Sequence, residues 1–380
     1  MMIDKKQNKA LGYVHIVEPV GGHGGMDYYD YGLALGLGEH DVKVKFYTCD
    51  VTRTRVYKNV ETVITFKGLW KKKLFAKVSE YLMGHFKAFN IAKKAGGKIV
   101  HLHFFTFRSV DLIVIALARS MSFKVIATLH DVSSFHKQAN KFVERSSYKL
   151  IDGIIVHNQS SMDALSQKSF VSSPVRIIPH GNYLPFIESL IYPAKRNVPF
   201  RLLFFGQIKT VKGLDVLINA IKLVKDKSYN VELVIAGKAW KSDLNLYEEL
   251  INDLELNNDI QTHFRYIKDE EIASFYEGAD LVVLPYREIY QSGVLLLTMS
   301  YGRPVLCSDL PPFKEFVEQG ENGFLFKSED HEDLAKQICY LVDHPEALIG
   351  AANQSNLMIR QKFDWSNIGQ LTKGFYEQIL

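Results

Sequence analysis

Short apolar runs alternate with longer amphipathic segments along the chain, which is the pattern of an α/β protein. The runs at residues 202–205 (LLFF) and 281–284 (LVVL) are apolar throughout, which is typical of strands buried on both faces of a parallel sheet. In segments such as residues 214–224, apolar side chains recur every three or four positions and predict helices. This order of elements predicts parallel sheets covered by helices.

The alternation occurs in two blocks, which predicts two domains. Residues 184–200, between the blocks, carry three prolines and show no regular period. A chain of 380 residues also exceeds the size of one ordinary core. We therefore predict an N-terminal domain at residues 1–185, a linker at 186–200, a C-terminal domain at 201–362 and a final helical segment at 363–380.

Composition and charge exclude several classes of protein. Hydrophobic residues make up 47% of the chain and charged residues 23%, as in folded globular proteins. The net charge of +4 is too small to indicate a nucleic-acid partner, and none is expected. The three cysteines are far apart, which predicts neither disulfides nor a zinc site and favours a reducing cytoplasm. The N-terminus lacks the apolar core of a signal peptide, and the longest apolar run (residues 112–118) is too short to cross a membrane.

One loop has the composition of an anion site at the start of a helix. A polar loop follows the strand at residues 281–284, and Ser292 then stands where the N-cap of a helix belongs. The free amides of Ser292, Gly293 and Val294 would face an anion there, and a diphosphate suits such a site.

A second loop, residues 206–213, places two cations between a strand end and a helix start. Lys209 and Lys212 are the cations, and they are suited to the charge of a diphosphate leaving group. Ordinary surface lysines are the alternative explanation. Their place beside a helix N-terminus favours the anion site.

A glycine-rich loop follows the first predicted strand, at residues 21–25 (GGHGG). A tight turn that needs positive φ would explain one or two of these glycines but not four of them around His23. Asp27 can cap the next helix. It also stands in the place of the third glycine of a dinucleotide fingerprint, which argues against a nicotinamide enzyme.

Three histidines lie in or next to predicted strands. His101 and His103 share one face of a strand, but no third ligand is evident, so we expect buried, hydrogen-bonded histidines and no metal site. His130 follows the strand at residues 124–129, and the carboxyl end of a strand is where open α/β sheets bind ligands. A structural hydrogen bond to a loop is the alternative role for His130.

Residues 281–326 carry a family resemblance. Gly302 and Pro304 after the helix, Glu315 after the next loop, and the turn at residues 320–323 (GENG) resemble the donor-sugar site of family 4 glycosyltransferases (glycosyl transferases group 1). The resemblance implies the GT-B fold, in which two Rossmann-like domains face each other across a cleft and a last helix crosses back to the first domain. It also implies transfer with retention from a UDP- or GDP-sugar, without bound metal or cofactor.

The sequence departs from the family pattern at three positions. Two glutamates that the family carries with seven residues between them correspond here to Tyr290 and Thr298, and Glu288 lies two residues out of register. The family's arginine after the first glycine of the second loop corresponds to Gln207. Lys209 is placed to supply that missing charge.

The resemblance implies roles for the residues that match the family motif. Candidate catalytic residues are His130 at the donor sugar, Lys212 and Lys209 at the diphosphate, and Glu288 in part replacement of the absent glutamate. Candidate donor and diphosphate contacts are Gly22, His23, Gly24, Gly206, Gln207, Ser292, Gly293, Val294 and Glu315. Residues 269–278 resemble the family segment over the nucleobase.

Residues 70–98, from Trp70 to Lys98, form a basic segment in which apolar residues recur at helical spacing. A basic amphipathic helix that carries aromatic residues is typical of a membrane-surface helix. A core-facing helix with a solvated lysine face is an equal alternative. The first explanation predicts a protein peripheral on the inner face of the cytoplasmic membrane, with a lipid-linked acceptor.

The function that these features predict is transfer of a hexose from a nucleotide sugar to a glycan or lipid-linked acceptor, in polysaccharide or cell-envelope biosynthesis. The replaced acids leave a different class open, a catalytically inactive GT-B module that binds a nucleotide sugar or supports a partner enzyme. A GT-B epimerase or phosphorylase is a third alternative. The first would need a clear acid/base set and the second a cofactor pocket.

Overall fold

The computed structural model of the chain describes residues 11–22, 25–132, 140–188, 198–240 and 244–380. The chain forms two compact units. Unit 1 comprises Met1–Gly181 together with Phe363–Leu380, and unit 2 comprises Asn182–Lys362. Residues 189–197 of the predicted linker lie outside the described residues.

The strands are numbered in chain order. They are β1 (Tyr13–Val17), β2 (Lys43–Cys49), β3 (Val60–Phe66), β4 (Ile99–Phe104), β5 (Lys124–Leu129), β6 (Gly153–Val156), β7 (Val175–Ile177), β8 (Phe200–Phe205), β9 (Val231–Ala236), β10 (Ile260–His263), β11 (Leu281–Leu284), β12 (Val305–Ser308) and β13 (Phe324–Phe326).

The helices are numbered in the same way. They are α1 (Met26–Glu39), α2 (Leu74–Lys94), α3 (Ser109–Ser120), α4 (Lys141–Leu150), α5 (Gln159–Ser166), α6 (Leu214–Asp226), α7 (Leu244–Asp253), α8 (Asp269–Glu277), α9 (Gly293–Ser300), α10 (Pro311–Lys314), α11 (His331–Asp343), α12 (Pro345–Lys362) and α13 (Trp365–Ile379). None of the helices in the described part of the chain has the length and apolar composition needed to cross a bilayer.

Each unit contains one parallel sheet, as the apolar runs predict. The sheet of unit 1 has the order β3-β2-β1-β4-β5-β6-β7, and the sheet of unit 2 has the order β10-β9-β8-β11-β12-β13. Central strands such as β4 and β11 are buried along their whole length because helices cover both faces. The prediction of two Rossmann-like α/β domains is confirmed.

The strand orders create one switch point in each unit, where neighbouring strands lead into connections that run in opposite directions. In unit 1 this point lies between β1 and β4, and in unit 2 it lies between β8 and β11. Ligands of open α/β sheets bind outside the carboxyl ends of the strands at such points. The loops that follow these four strands are therefore the first places to search for a site.

The last helix, α13, packs against α1 within unit 1. The two helices approach so closely that a Cβ atom on Gly36 would overlap the carbonyl of Trp365, and one on Gly369 would overlap the backbone of Gly36. The carboxylate of Asp364 caps α13 by accepting a hydrogen bond from the Ser366 amide at 3.0 Å. The C-terminal segment is thereby part of the core of unit 1.

The predicted cap of α1 is wrong. Gly25 occupies the N-cap with φ of 79°, a left-handed conformation that favours glycine, and no side chain caps the helix. Asp27 lies in the first turn instead and is buried. A carboxylate there still interacts favourably with the helix dipole, although it makes no cap.

Candidate functional site

In unit 2, two loops and two helix starts meet at the switch point between β8 and β11. Residues 206–213 lead from β8 into α6, and residues 285–292 lead from β11 into α9. Gly213, at the N-cap of α6, has φ of 63°, and a Cβ atom there would overlap the carbonyl oxygen of Pro285. Glycine is therefore required for this approach of the two loops.

Lys212 extends from the first loop to the second. Residues Thr210–Lys212 form a 3₁₀ turn, and Nζ of Lys212 lies 3.5 Å from the centre of the Tyr286 ring. Lys209 precedes the turn and is half-buried. The structure thus places both predicted cations in the loop that ends at the N-terminus of α6.

Arg287, which the sequence did not single out, ties the same two loops together. Its backbone amide donates to the Val211 carbonyl at 2.9 Å, and its guanidinium donates to Asp215 at 2.6 and 2.8 Å and to Glu329 at 2.9 Å. Burial of Asp215 raises its pKa, but the hydrogen bonds from Arg287 outweigh this and leave the pKa below its usual value. The charge of Arg287 is thus paired with carboxylates and positions the loops.

The start of α9 agrees with the predicted cap. Ser292 is buried at the N-cap, and its Oγ accepts a hydrogen bond from the Leu295 amide at 3.1 Å. Gly293 and Val294 form the first turn of the helix and are half-buried. A Cβ atom on Gly206 would come within 3.2 Å of Val294, so the carboxyl end of β8 lies next to the first turn of α9.

The residues at the departures from the family pattern lie in different surroundings. Thr298 is fully buried, and its Oγ1 donates to the Val294 carbonyl at 2.7 Å, so its hydroxyl is used inside α9. Tyr290 is half-buried, whereas Glu288 and Gln207 are exposed. The helix face that carries a glutamate in the family presents no carboxylate at position 298.

Two acids that follow β12, Asp309 and Glu315, are further candidates to replace that carboxylate. Asp309 accepts hydrogen bonds from the Ser328 amide and from Lys314, both at 3.0 Å. The Ser328 amide has the larger effect on the pKa of Asp309 and Lys314 a smaller one, and together they keep that pKa below its usual value. Glu315 is exposed at the end of α10. The carboxylate of Asp309 is thus already hydrogen-bonded within unit 2, whereas Glu315 is exposed to solvent.

In unit 1, three histidines stand side by side at the carboxyl end of the sheet. His103 lies in β4, His130 directly follows β5, and His157 directly follows β6. Their ring centres are 5.5 and 5.1 Å apart, close to the spacing of neighbouring strands. We call His103, His130 and His157 the imidazole row. The ring of Tyr29 packs edge-on against all three at 5.0 to 5.3 Å.

The nitrogen atoms of the imidazole row contact one another in sequence. Nδ1 of His103 lies 3.3 Å from Asp30 Oδ1 and 3.4 Å from Nε2 of His130. Nδ1 of His130 lies 3.3 Å from Nε2 of His157, whose own Nδ1 lies 2.9 Å from the Ile178 carbonyl oxygen. The pKa of His130 lies well below its usual value. Burial of the ring is the larger cause, and the charges of the neighbouring histidines are the smaller one.

His101, the partner of His103 in the sequence pattern, is a buried histidine with both nitrogens hydrogen-bonded. Nδ1 lies 2.6 Å from the Tyr376 hydroxyl and Nε2 lies 2.7 Å from Thr128 Oγ1. Within the described residues, no three histidine, cysteine or acidic side chains are grouped so that they could hold a metal ion.

Buried carboxyl groups lie at the other side of the switch point of unit 1. Glu18 directly follows β1, and burial raises its pKa to about 8. Burial and the nearby Glu18 likewise raise the pKa of Asp30. Gly22 belongs to the adjoining loop, whereas His23 and Gly24 lie outside the described residues.

The buried histidines predict that unit 1 loses stability as the pH falls from 7 to 5. Burial lowers the pKa of His101 and His157 to about 3 and that of His180 to about 4. The unfolded chain, with a histidine pKa near 6.5, takes up protons that the folded unit does not, so each histidine costs about 1.4 kcal/mol per pH unit below pH 6.5. Glu18 acts in the opposite direction, because its raised pKa adds stability as the pH falls from 8 to 4.5.

Denaturant titrations at pH 5, 6 and 7 measure this dependence. With His103 and His130 included, the histidines outnumber the opposing acids Glu18 and Asp30, so the free energy of unfolding should fall towards pH 5. Replacement of His157 by glutamine should reduce the slope by about one proton. A stability that is constant from pH 5 to 7 would contradict the prediction.

Comparison with protein families finds two matches along the chain. Residues 23–182 match Glycosyltransferase Family 4, and residues 199–344 match Glycosyl transferases group 1. The first match covers most of unit 1, and the second contains the loops at the β8–β11 switch point.

Curated relatives match parts of the chain. GDP-mannose:glycolipid 4-beta-D-mannosyltransferase of Xanthomonas campestris pv. campestris is 28% identical over 214 residues, which are 55% of this chain and 58% of that protein. D-inositol 3-phosphate glycosyltransferase of Arthrobacter sp. is 23% identical over 300 residues, which are 73% of this chain and 70% of that protein. The chain spans about half the length of the first curated relatives that it matches.

Solved structures match nearly the whole chain. Sucrose-phosphate synthase from Thermosynechococcus elongatus superposes with a TM-score of 0.78 and 18% identity, over 97% of this chain and 99% of that one. Anabaena HepE in complex with UDP-glucose superposes with a TM-score of 0.72 and 17% identity, over 96% of this chain and 99% of that one. These likenesses show the fold. By fold and by both sequence matches, the chain belongs to the GT-B glycosyltransferases, with a family 4 domain followed by a group 1 domain.

Proposed function

We propose that this protein transfers a hexose from a nucleotide-sugar donor to a glycan or a lipid-linked acceptor. The observation that carries the proposal is the switch point of unit 2, where Gly213 at the N-cap of α6 packs on Pro285 of the loop that leads into α9, with Lys209 and Lys212 in the loop before α6. Two helix N-termini at the ends of these packed loops, together with the two cations, match the charge of a diphosphate.

The same arrangement suggests how the leaving group departs. Cleavage of the sugar–phosphate bond adds negative charge to a nucleoside diphosphate, and fixed cations and amides stabilise that charge in the transition state. Lys212 and Lys209 supply the cations, while Ser292, Gly293 and Val294 supply amides. We propose that these groups do the work of a metal ion and that the reaction needs neither a metal nor a cofactor.

The nucleotide is UDP or GDP in this proposal. The Anabaena protein HepE was solved with UDP-glucose, and the name of the Xanthomonas relative specifies GDP-mannose. The segment that resembles the family's nucleobase contact begins α8 at Asp269 and runs to Gly278. Gly206 and Gln207 lie at the end of β8 and are assigned to the same donor.

His130 contacts the donor sugar in this proposal, and Gly22, His23 and Gly24 are assigned to the same donor. Glu288 and Glu315 are exposed carboxylates that serve the sugar or ribose hydroxyl groups. These assignments follow the family motif.

Transfer can retain or invert the configuration of the anomeric carbon of the sugar. The family 4 resemblance implies retention, and we keep it as the first proposal. A specific observation favours inversion: the family glutamates are replaced by Tyr290 and Thr298, Thr298 is buried in its own helix, and the Xanthomonas relative is named for a β-linked product. The anomeric configuration of the product, read by NMR, decides between them.

A lipid-linked acceptor is supported by the surface of α2. The second half of the helix packs into unit 1 through residues such as Phe89, whereas Leu74 and Phe75 near its start are 73% and 90% exposed. Lys71, Lys72 and Lys73 precede these two apolar side chains directly. Apolar side chains beside lysines suit an anionic membrane surface, where polysaccharide and cell-envelope glycans are assembled on lipid carriers.

Vesicle co-sedimentation tests the membrane surface. Replacement of both Leu74 and Phe75 by serine should lower binding to anionic phospholipid vesicles at least about tenfold, because each apolar side chain contributes about 1.5–3 kcal/mol when it is buried. The matched control is Leu246→Ser, which changes an exposed leucine on α7. Equal binding by the double variant and the wild type would leave a soluble acceptor as the better proposal.

The alternative function is an inactive GT-B module that binds a nucleotide sugar or supports a partner enzyme. The observation that favours it is the absence of a carboxylate from position 298 in α9. Calorimetric titration with UDP, GDP and their sugars, together with release of nucleoside diphosphate in the presence of membrane lipid extract, separates the two. Binding with turnover supports the transferase, and binding without turnover supports the module.

A further inference from the structure

We propose that His157 is a positioning residue that fixes the tautomer of His130. In this tautomer the hydrogen is on Nδ1, so Nε2 of His130 accepts a hydrogen bond from a hydroxyl group of the donor sugar. The part that names the sugar rests on the proposed function. The tautomer itself follows from contacts within unit 1.

The imidazole row ends at the backbone carbonyl of Ile178, which contacts His157. Nδ1 of His157 lies 2.9 Å from the carbonyl oxygen of Ile178, and a carbonyl only accepts, so this nitrogen carries a hydrogen. His157 is fully buried, and burial keeps its ring neutral by lowering its pKa to about 3. A neutral imidazole has one N–H, so Nε2 of His157 carries a lone pair.

The next contact transfers this polarity to His130. Nδ1 of His130 lies 3.3 Å from Nε2 of His157. Because Nε2 of His157 carries a lone pair, Nδ1 of His130 donates the hydrogen bond. The ring of His130 is also buried, and its neutral form then carries a lone pair on Nε2. One backbone carbonyl, at Ile178, therefore determines which nitrogen of His130 accepts hydrogen bonds.

Among the described residues, the partner of the accepting nitrogen is weak. Nε2 of His130 lies 3.4 Å from Nδ1 of His103, and that nitrogen lies 3.3 Å from Asp30 Oδ1 as well. Both distances exceed the usual 2.9–3.0 Å, and the contact of His103 with Asp30 Oδ1 is not a hydrogen bond, so His103 binds Nε2 of His130 through one long hydrogen bond. A ligand hydroxyl at normal distance would make a better hydrogen bond to His130 than His103 does.

Packing holds the rings in this arrangement. Tyr29 meets His130 edge-on at 5.0 Å, and Phe105 stacks on the other side at 5.1 Å with an interplanar angle of 30°. Phe105 is 45% exposed, so the buried ring of His130 lies directly beneath a residue at the surface of unit 1. Because His130 uses opposite nitrogens towards its two neighbours, the three rings do not converge on one point as metal ligands would.

Histidine tautomers are read directly by two-dimensional ¹⁵N–¹H NMR of full-length protein labelled in its histidines, without any substrate. His130→Gln identifies the His130 signals by their loss. In the wild type we expect a protonated Nδ1 and an unprotonated Nε2 for His130. The opposite tautomer, which is the commoner one for a free imidazole, would overturn the proposal.

Two variants at position 157 test the cause. Leucine removes the acceptor and should leave His130 with a mixture of tautomers or the opposite one, whereas glutamine restores an acceptor and should keep hydrogen on Nδ1. An unchanged His130 spectrum in folded His157→Leu would show that His157 does not set the tautomer. The wild-type spectrum keeps the proposal testable if the leucine variant does not fold.

Kinetics test the role towards the donor. We expect His157→Leu to lower kcat/KM for the nucleotide sugar about 10-fold to 100-fold without changing KM for the acceptor, and His157→Gln to recover most of the loss. His85→Gln is the control, because His85 is a buried histidine of α2 that packs on Phe66 and Phe89. The expected tautomer without any turnover would reject the proposed transferase while the tautomer assignment stands, and equal kinetics in all three variants would reject the role towards the sugar.

Discussion

Replacement of Lys212 by alanine is expected to reduce turnover of the nucleotide sugar by roughly 10²- to 10³-fold. Nζ of Lys212 is held over the ring of Tyr286, between the loops that begin α6 and α9. In the proposed mechanism, loss of the cation removes charge stabilisation where the diphosphate leaves. The measurement is steady-state release of nucleoside diphosphate from the preferred donor.

The matched control for this variant is Lys222→Ala. Lys222 lies further along α6 and makes a surface ion pair with Asp226 at 2.8 Å, so its removal should leave turnover almost unchanged. Lys212→Arg keeps the charge but changes its geometry and should retain part of the activity. Full activity in Lys212→Ala would contradict the proposal that the loops at the switch point of unit 2 stabilise the leaving diphosphate.

Replacement of Trp365 by alanine is expected to cost unit 1 about 3–5 kcal/mol of unfolding free energy. The indole is 2% exposed and fills a space that exists only because Gly32 and Gly181 lack side chains. It also packs edge-on against Tyr29 at 5.6 Å, so its loss should loosen the support of the imidazole row. Since a typical domain has about 5–15 kcal/mol of stability, this change removes a large share of it.

Denaturant titration followed by far-UV circular dichroism measures this loss. The control is Trp240→Ala, because that indole is 53% exposed and belongs to unit 2. We expect the control to keep the wild-type transition. A wild-type transition in Trp365→Ala would mean that α13 contributes little to the stability of unit 1.

The fold was predictable where local pattern and tertiary environment agree. The run at Leu281–Leu284 is apolar because both faces of β11 are buried, and Ser292 caps α9 as its place before an apolar run predicts. The strand β3 was not predicted, because it is half-buried and mixes polar with apolar positions. The helix α12 was also missed, since much of its buried face consists of small residues such as Ala351 and Ser355.

The candidate site was predictable only in its local parts. Lys209 and Lys212 stand in a short loop next to a helix start, so their position follows from neighbouring residues. The pairing of Arg287 with Asp215 joins residues 72 positions apart and depends on the sheet order, which the sequence does not display.

The imidazole row had a signal that sequence reasoning did not use. His103, His130 and His157 follow one another at intervals of 27 residues, which is one strand-and-helix repeat of the sheet. In the register of the sheet Thr128 pairs with Ile155, so His130 and His157 continue at one level, whereas His103 pairs with Thr128 and lies two residues further back. Sequence reasoning chose only His130 as a site residue. His103 and His157 lie beside it because β4 and β6 flank β5 in the sheet.

The most direct test of the central claim is a donor panel. Purified full-length protein is incubated with UDP-sugars and GDP-sugars and a membrane lipid extract, and both released nucleoside diphosphate and sugar incorporated into lipid are measured. We predict release and incorporation with one donor, both strongly reduced in Lys212→Ala and unchanged in Lys222→Ala. Donor binding without release or incorporation from any member of the panel would contradict the transferase and favour the inactive module.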